Sequence, residues 1–299
     1  MRTTLSAAVA VAIVVAAASI GLMQRASAAP GDVTRVSVNS AGIEANDYAI
    51  DAAVSGNGRY VAFTSRADNL DPTLPPPPPN SDNRFVHDRQ TGITKQVNFA
   101  TDGSRLDPAW PGAFSNDGRF FAFRGANGVF TNAGEWWLRD LQLNTTEQID
   151  VRLPAPLLSS SASSGAEDAT AAPASSGSGG GPRPLSGYTP DFRRYTVSMS
   201  ADGRYVTFPS DASDVVAGDT NNAVDVFVRD RVAGTTERVS VNSAGQQTLP
   251  NLGNSYEPHI SADGRYVVFE SSGGGLIPGE IDSGADENHR LRMSSFMIA

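Results

Sequence analysis

The chain has 299 residues, with 23 basic and 32 acidic side chains, a formal net charge of −9 and no cysteine. The acidic balance argues against a nucleic-acid partner, because such a surface repels phosphate groups. The lack of cysteine excludes disulfides and thiol chemistry, so we expect the stability to come from packed sheet.

The first 28 residues have the pattern of a secretory signal peptide. Arg2 gives a short positive end, an Ala/Val-rich apolar run follows, and a small-residue Ala-Ser-Ala sequence ends at Ala28. Removing residues 1–28 changes the formal charge from −9 to −11, because Arg2 and Arg25 leave and no acid does. The alternative is an uncleaved membrane anchor, since the apolar run is nearly long enough to span a bilayer. Both interpretations place the predicted domain, residues 29–299, outside the cytoplasm.

A nine-residue sequence, which we call the turn repeat, occurs four times and dominates the rest of the chain. The copies read SGNGRYVAF, SNDGRFFAF, SADGRYVTF and SADGRYVVF, at residues 55–63, 115–123, 200–208 and 261–269. An Asn-Gly or Asp-Gly pair before alternating apolar residues predicts a tight turn, with both central residues at positive φ, followed by a strand.

Alignment of the four copies predicts four short strands in each unit. A first strand precedes the turn and contains a bulky residue five positions before the serine: Ile50, Trp110, Tyr195 and Tyr256. The second strand follows the turn. The third and fourth strands are predicted at residues 85–88 and 94–97, 137–140 and 146–149, and 227–230 and 236–239. Repeated units of four short antiparallel strands are typical of a β-propeller, so we predict an all-β fold with about four blades.

The two ends of the chain carry further strand predictions. Residues 33–42 closely match residues 235–245, which include the fourth strand of the third unit. We therefore expect an N-terminal strand that closes the last blade and removes an exposed sheet edge. The third strand of the last unit should lie near residues 286–292, which lack the apolar alternation. Either this strand is degenerate or the chain is truncated before the end of a longer propeller.

Two insertions interrupt the repeat. The turn glycines Gly58, Gly118, Gly203 and Gly264 are 60, 85 and 61 residues apart, so the middle interval is the longest. The extra residues lie in the Ser/Ala/Gly/Pro-rich stretch 151–187, where we predict disorder. Residues 71–80 contain five consecutive prolines, which predict a stiff polyproline II loop.

Antiparallel pairing assigns each loop to one of two rims. The first-to-second and third-to-fourth turns share one rim, and the second-to-third and fourth-to-first loops share the other. Both insertions fall on this second rim, which we call the loop rim. Binding sites concentrate in variable loops on a rigid frame, so the loop rim is the predicted binding face.

Few side chains are candidates for catalysis. His87 takes the place that Arg139 and Arg229 hold in the sister units, which predicts a structural role. His259 precedes the fourth turn and is a candidate for the central channel. Asp88, Asp140 and Asp230 recur once in each of three units, so we interpret them as turn caps rather than a catalytic pair. No Gly-x-Ser-x-Gly sequence of a serine hydrolase occurs in the chain.

One loop has the oxygen-rich composition of a calcium site. Residues 219–225 include Asp219, Asn221 and Asp225, and Glu280, Asp282 and Asp286 stand in register in the fourth unit. The spacing is not that of an EF-hand, and a solvated acidic loop is the alternative. We predict no catalytic, cofactor-binding or metal-binding residues and no cofactor.

The repeat also supports a family resemblance. Ser-Ala-Asp-Gly-Arg-Tyr-Val-x-Phe, followed by Asp-Val-Phe-Val-Arg-Asp-Arg and Thr-Glu-Arg-Val-Ser-Val-Asn, resembles the TolB-type β-propeller repeats of exported bacterial proteins. The resemblance covers most of residues 32–272 and implies a periplasmic or secreted location and a role in protein–protein interaction. Relatives of this propeller also occur beside hydrolase domains and in polysaccharide lyases, so the fold alone does not define an activity.

These observations lead to two hypotheses for function. The first is an exported, non-enzymatic propeller that binds an envelope or extracellular protein on the loop rim. It has no nucleic-acid partner and contacts a membrane only through an uncleaved signal segment. The alternative is a carbohydrate-binding or polysaccharide-cleaving propeller that uses its central channel, with His259 and neighbouring aromatic residues.

Overall fold

In the described residues of the computed structural model, alternating apolar residues between glycine-containing turns form 15 short strands. The structure describes residues 33–126, 135–153, 194–250, 253–277 and 293–297. All of these except Val33 belong to one unit that spans Thr34–Ala299. The predicted signal peptide lies outside the described residues, and so do residues 154–187 of the insertion that we predicted to be disordered. In the described part of the chain, no helix is long and apolar enough to cross a membrane.

The strands form four antiparallel sheets, each built from consecutive strands. The first sheet contains β1 (Ala49–Val54), β2 (Tyr60–Ser65), β3 (Asn83–Asp88) and β4 (Ile93–Gln96). The second contains β5 (Asp107–Phe114), β6 (Phe120–Ala126), β7 (Glu135–Asp140) and β8 (Thr145–Gln148). The third contains β9 (Ser198–Met199), β10 (Tyr205–Ser210), β11 (Asp225–Asp230) and β12 (Thr235–Arg238). The fourth contains β13 (Ser255–Ile260), β14 (Tyr266–Ser271) and β15 (Met293–Met297). The fold is that of a β-propeller, as the repeat predicted.

The fourth sheet differs from the prediction in two respects. Its third strand, β15, begins just after the expected residues 286–292, which lie outside the described residues. The predicted closure by an N-terminal strand is not found, since this sheet has three strands in the described ranges and residues 34–37 form none. The N-terminal segment is instead held on the first sheet. Val38 bridges Glu44, and the Thr94 hydroxyl donates a hydrogen bond to the Val38 carbonyl.

The turn repeat forms a four-residue loop, which corrects the predicted two-residue turn. In the first copy Ser55 N–H donates to the Tyr60 carbonyl (3.0 Å), and Gly58 N–H donates to the Ser55 carbonyl (2.8 Å). Only the glycine has positive φ, with values of 68°, 76°, 68° and 74° along the four copies. The Ser55 hydroxyl fixes the loop, because it accepts from Tyr60 N–H (3.0 Å) and donates to Asn57 Oδ1 (2.7 Å).

Successive sheets are joined at these turns. Backbone hydrogen bonds run from Asn57 to Asn116 (3.0 Å), from Asn116 to Ala201 (3.1 Å) and from Ala201 to Ala262 (2.9 Å). The aromatic residue of each copy also lies against the glycine of the next. A Cβ added to Gly118, Gly203 or Gly264 would lie 2.4–2.5 Å from the rings of Tyr60, Phe120 and Tyr205 respectively. These positions require glycine for its positive φ and for the absence of a side chain.

The core consists of the interfaces between neighbouring sheets. The largest apolar cluster joins the second and third sheets and includes Trp136, Phe208 and Tyr195, which are 1%, 0% and 5% exposed. Smaller clusters join the first sheet to the second and the third to the fourth. Because the strands bury their apolar residues on both faces, each inner sheet depends on both of its neighbours.

Candidate functional site

The arginine of the turn repeat binds an acid that lies outside the repeat, on the third strand of the same sheet. The repeat arginine forms an ion pair with the acid that ends the third strand: Arg59–Asp88 (2.7 Å), Arg119–Asp140 (2.8 Å) and Arg204–Asp230 (2.7 Å). Each acid also accepts hydrogen bonds from the following turn, as Asp140 does from Gln142 and Leu143 N–H. The predicted turn-capping role of these acids is therefore confirmed, and the repeat arginine is the partner that the sequence did not reveal.

These contacts favour the ionised acid. Hydrogen bonds from Arg204 and from the N–H groups of Ala233 and Val232 outweigh the effect of burial and lower the pKa of Asp230 to about 2. The repeated carboxylates are thus engaged in structural ion pairs, one in each of three sheets.

His87 and its counterparts join the third strand to the fourth in the first three sheets. His87 Nδ1 lies 2.9 Å from Thr94 Oγ1. At the same position of the other sheets, Arg139 donates to Thr146 (2.8 Å) and Arg229 donates to Thr236 (3.1 Å). The shared partner agrees with the predicted structural role of His87, which is 5% exposed.

His259 is exposed on β13, where it pairs with Val268 of β14. Tyr256, on the same strand, is 4% exposed and makes an edge-on contact with Tyr195, with 5.4 Å between ring centroids. This aromatic ring belongs to the interface between the third and fourth sheets rather than to an exposed surface beside His259.

The acids of residues 219–225 are not a solvated cluster. Arg238 Nη1 lies 3.1 Å from Asp219 Oδ1 and 3.5 Å from Asp225 Oδ2, and Asn221 donates to Asp225 Oδ2 (2.9 Å). Burial raises the pKa of Asp219 to about 6. Arg238 therefore supplies the positive charge beside these two acids, in the place where the sequence suggested a calcium ion. Across the described ranges, no group of three acidic or histidine side chains is arranged to hold a metal ion.

A groove of about 420 Å³ lies between the outer strands of the first and second sheets. Its lining residues come from the loop after β2 (Asp71, Thr73, Leu74), from β4 (Lys95, Gln96), from the following hairpin (Phe99, Ala100, Thr101, Gly103) and from the second sheet (Arg139, Asn144, Thr145, Thr146). The hairpin reaches the second sheet because the Thr101 hydroxyl donates to the Thr146 carbonyl (2.7 Å). Two of the walls, residues 71–74 and 99–103, belong to the loop rim.

The charges in the groove are two cations and one acid. Asp71 is 7% exposed and accepts hydrogen bonds from Gln96 N–H (3.0 Å) and from Thr73. Its carboxylate therefore accepts hydrogen bonds from both β4 and its own loop. Lys95 is exposed, contacts Thr73 Oγ1 at 3.5 Å, and is the only lysine in the chain.

Arg139 is the buried cation of the groove, with 9% of its surface exposed. Its guanidinium donates to the neutral oxygens of Thr146 and Asn144, and its Nε has no hydrogen-bond partner. Within the described part of the chain no carboxylate forms an ion pair with it, and burial lowers its pKa. Sequence reasoning missed this groove, although the single lysine and the register of Arg139 with His87 were both visible.

The comparisons with known proteins concern the fold alone. No protein-family model and no curated protein sequence matches this chain. The structure is similar to that of TolB from Acinetobacter baumannii (14% identity, TM-score 0.39), with coverage of 77% of this chain and 39% of that chain. It is also similar to a putative TolB from Agrobacterium tumefaciens, with 14% identity, a TM-score of 0.41, and coverage of 76% of this chain and 55% of that chain. A third similar structure is a prolyl endopeptidase, with 13% identity, a TM-score of 0.43, and coverage of 78% of this chain and 28% of that chain. The chain thus spans about half or less of each of these proteins.

Proposed function

We propose that this chain is an exported, non-enzymatic β-propeller that binds an acidic segment of a partner protein in the groove between the first and second sheets. The observation that carries the proposal is the buried Arg139, which lines the groove and has only neutral hydrogen-bond partners. A guanidinium in a site of low dielectric interacts strongly with a carboxylate, which it can bind through two parallel hydrogen bonds.

The surroundings of Arg139 support the same class of ligand. Lys95 adds a second positive charge, and the carboxylate of Asp71 already accepts hydrogen bonds from Gln96 of β4 and from Thr73. In a chain with a formal charge of −9, this groove is a local exception that would attract acidic groups. Its volume of about 420 Å³ suits a few side chains of an extended segment rather than a folded domain.

The proposed compartment rests on the sequence. Residues 1–28 have the charged, apolar and small-residue regions of a signal peptide, and the chain has no cysteine to form disulfides after export. The partner is accordingly an envelope or extracellular protein with an accessible acidic segment.

The test compares two fluorescent peptides, one with four glutamates and one in which glutamines replace them. We expect the purified protein to bind the glutamate peptide, more weakly as the salt concentration rises. Lys95→Glu should weaken this binding about tenfold, equivalent to about 1.4 kcal/mol. The control is Arg265→Glu, an exposed substitution in the turn repeat of the fourth sheet, which should bind like the unchanged protein.

The single lysine allows a second measurement on the same complex. An amine-acetylating reagent modifies only Lys95 among the side chains, so mass spectrometry reports the rate at one known place. Bound glutamate peptide should slow this acetylation. Equal binding of both peptides, or an unchanged acetylation rate under saturating peptide, would contradict the proposed groove.

A further inference from the structure

The first sheet exposes apolar residues that the inner sheets bury. Ile50 and Val54 of β1 are 50% and 62% exposed. Their counterparts in the third unit, Tyr195 and Met199, are 5% and 8% exposed, and Tyr256 in the fourth unit is 4% exposed. In those units the preceding sheet covers this face. The first sheet has no preceding sheet among the described residues, so its face is open.

The fourth sheet has the opposite open face. Phe120 is 7% exposed because it packs against Gly203 of the following repeat, whereas Tyr266, at the same position of the last repeat, is 46% exposed. Gly58 of the first repeat has no ring against it. The nearest heavy atom to an added Cβ there is Arg89 Nη1, at 3.8 Å. In the described ranges, the aromatic ring of the last repeat, Tyr266, therefore has no glycine of a following repeat against it, and the glycine of the first repeat, Gly58, has no ring of a preceding repeat against it.

In the described part of the chain, backbone hydrogen bonds are also missing at the first and the fourth sheet. The row of hydrogen bonds between turns begins at Asn57 and ends at Ala262, and none joins the last turn to the first within the described residues. The fourth sheet has three strands there, while residues 34–37, which match the end of the fourth strand β12 and the two residues after it, belong to no strand. Each open position has its complement at the other end of the same chain.

We propose that two copies of this chain form one closed ring of eight sheets. In this ring the first sheet of each copy covers the fourth sheet of the other, so that Tyr266 packs against the partner's Gly58. Residues 34–37 of each copy pair with β15 of the other and complete its fourth sheet. The contact joins two different faces, and a two-fold axis repeats it once and closes the ring.

We identify the partner of these open faces as a second copy of the chain, because the open face of the fourth sheet fits a particular kind of turn. The face of the fourth sheet fits a turn with a glycine at positive φ, and the row of turns inside the chain shows this contact three times. The chain itself carries such a turn at Gly58, next to the exposed Val54. Eight sheets also lie within the usual range of four to eight blades for propellers.

Light scattering on the full chain tests the proposal. The expected mass is twice that of one chain. Val54→Glu and Tyr266→Glu should each give a monomer with an unchanged circular dichroism spectrum, because both side chains are already exposed in the single chain. Leu143→Glu is the matched control. Leu143 is 64% exposed on the turn between β7 and β8, away from both faces, and this variant should remain a dimer.

Mixing the two monomeric variants tests the arrangement of the faces. The mixture contains one intact contact, between the fourth sheet of the Val54→Glu chain and the first sheet of the Tyr266→Glu chain, so a dimer should reappear. A monomeric unchanged protein, an assembly larger than two copies, a dimer that survives both substitutions, or a mixture without dimer would each overturn the proposal.

Discussion

The turn repeat and the groove of this propeller differ in what their charged side chains bind. On the rim of the turn repeat, Arg119 pairs with Asp140, and Asp140 also caps the next turn. At the groove, whose walls 71–74 and 99–103 belong to the loop rim, the buried cation Arg139 of β7 donates hydrogen bonds to neutral oxygens of Thr146 and Asn144. The repeat arginines are thus engaged in structural ion pairs, while the groove contains a cation with no ion-pair partner among the described residues, to which the proposed acidic ligand would bind.

Two acids on opposite rims of the propeller differ in the direction in which their pKa is shifted. Asp230 lies in a turn where Arg204 lowers its pKa to about 2. Asp150 follows β8 at the loop rim and is 1% exposed, and burial raises its pKa to about 7 although Arg152 is close. The sign of each shift shows whether the fold favours the charged or the neutral acid, so the two regions should respond to pH in opposite directions.

The largest expected effect comes from the packing of the turn repeat. Gly203→Ala places a Cβ 2.5 Å from the Phe120 ring at a residue with a φ of 68°, and we expect a loss of about 3 kcal/mol. Gly234→Ala is the control, since its φ is 70° and nothing lies within 4 Å of the added atom; about 1 kcal/mol should be lost there. Urea unfolding measures both, and equal losses would contradict the role of the ring contact.

A smaller effect of the opposite sign is expected at Asp150. Its folded pKa of about 7 lies above the ordinary value of 3.8, so the folded state binds more protons between these values and stability falls as the pH rises through them. Asp150→Asn removes this loss and should stabilise the protein at pH 8 by about 2 kcal/mol. Asn98 shows that asparagine suits the position, since it accepts Arg84 N–H (3.1 Å) as Asp150 accepts Trp136 N–H (3.0 Å).

The check is thermal unfolding of both proteins at pH 5 and pH 8. The difference in stability should be large at pH 8 and small at pH 5, where Asp150 is protonated in the folded protein. A variant that is less stable than the unchanged protein at both pH values would show that the charged form of Asp150 is needed.

Features that depend on a short stretch of sequence, such as the strands and their terminal acids, were predicted correctly. The apolar alternation of β10 and β11 and the acid that ends β11 were visible, because a strand places every second side chain on one face. The turn geometry was predicted wrongly, since the Asn/Asp-Gly pair suits a two-residue turn. It was the serine hydroxyl, bonded to the aromatic N–H five residues later, that determined the longer loop.

The groove could not be predicted, because it depends on contacts between residues far apart in the chain. Thr101 and Thr146 meet across 45 residues, and this contact helps to place the hairpin next to Arg139. Arg139 itself has the same local sequence position as Arg229, so no pattern distinguished the arginine that lines a groove. The position of β15 was missed for a related reason, since its partner β14 determines it more than its own sequence does.

The smallest expected effect tests the turn-repeat rim at acid pH. Because Arg204 lowers the folded pKa of Asp230 to about 2, this acid contributes stability above its ordinary pKa of 3.8, and the contribution is lost as the pH falls from about 4 to 2. Asp230→Asn should cost about 1 kcal/mol at pH 7, since a partly solvated ion pair contributes modestly. The two proteins should become equally stable near pH 2. Urea midpoints at pH 2, 4 and 7 measure this convergence, and a difference that stays constant with pH would show that Asp230 acts through its turn hydrogen bonds rather than through its charge.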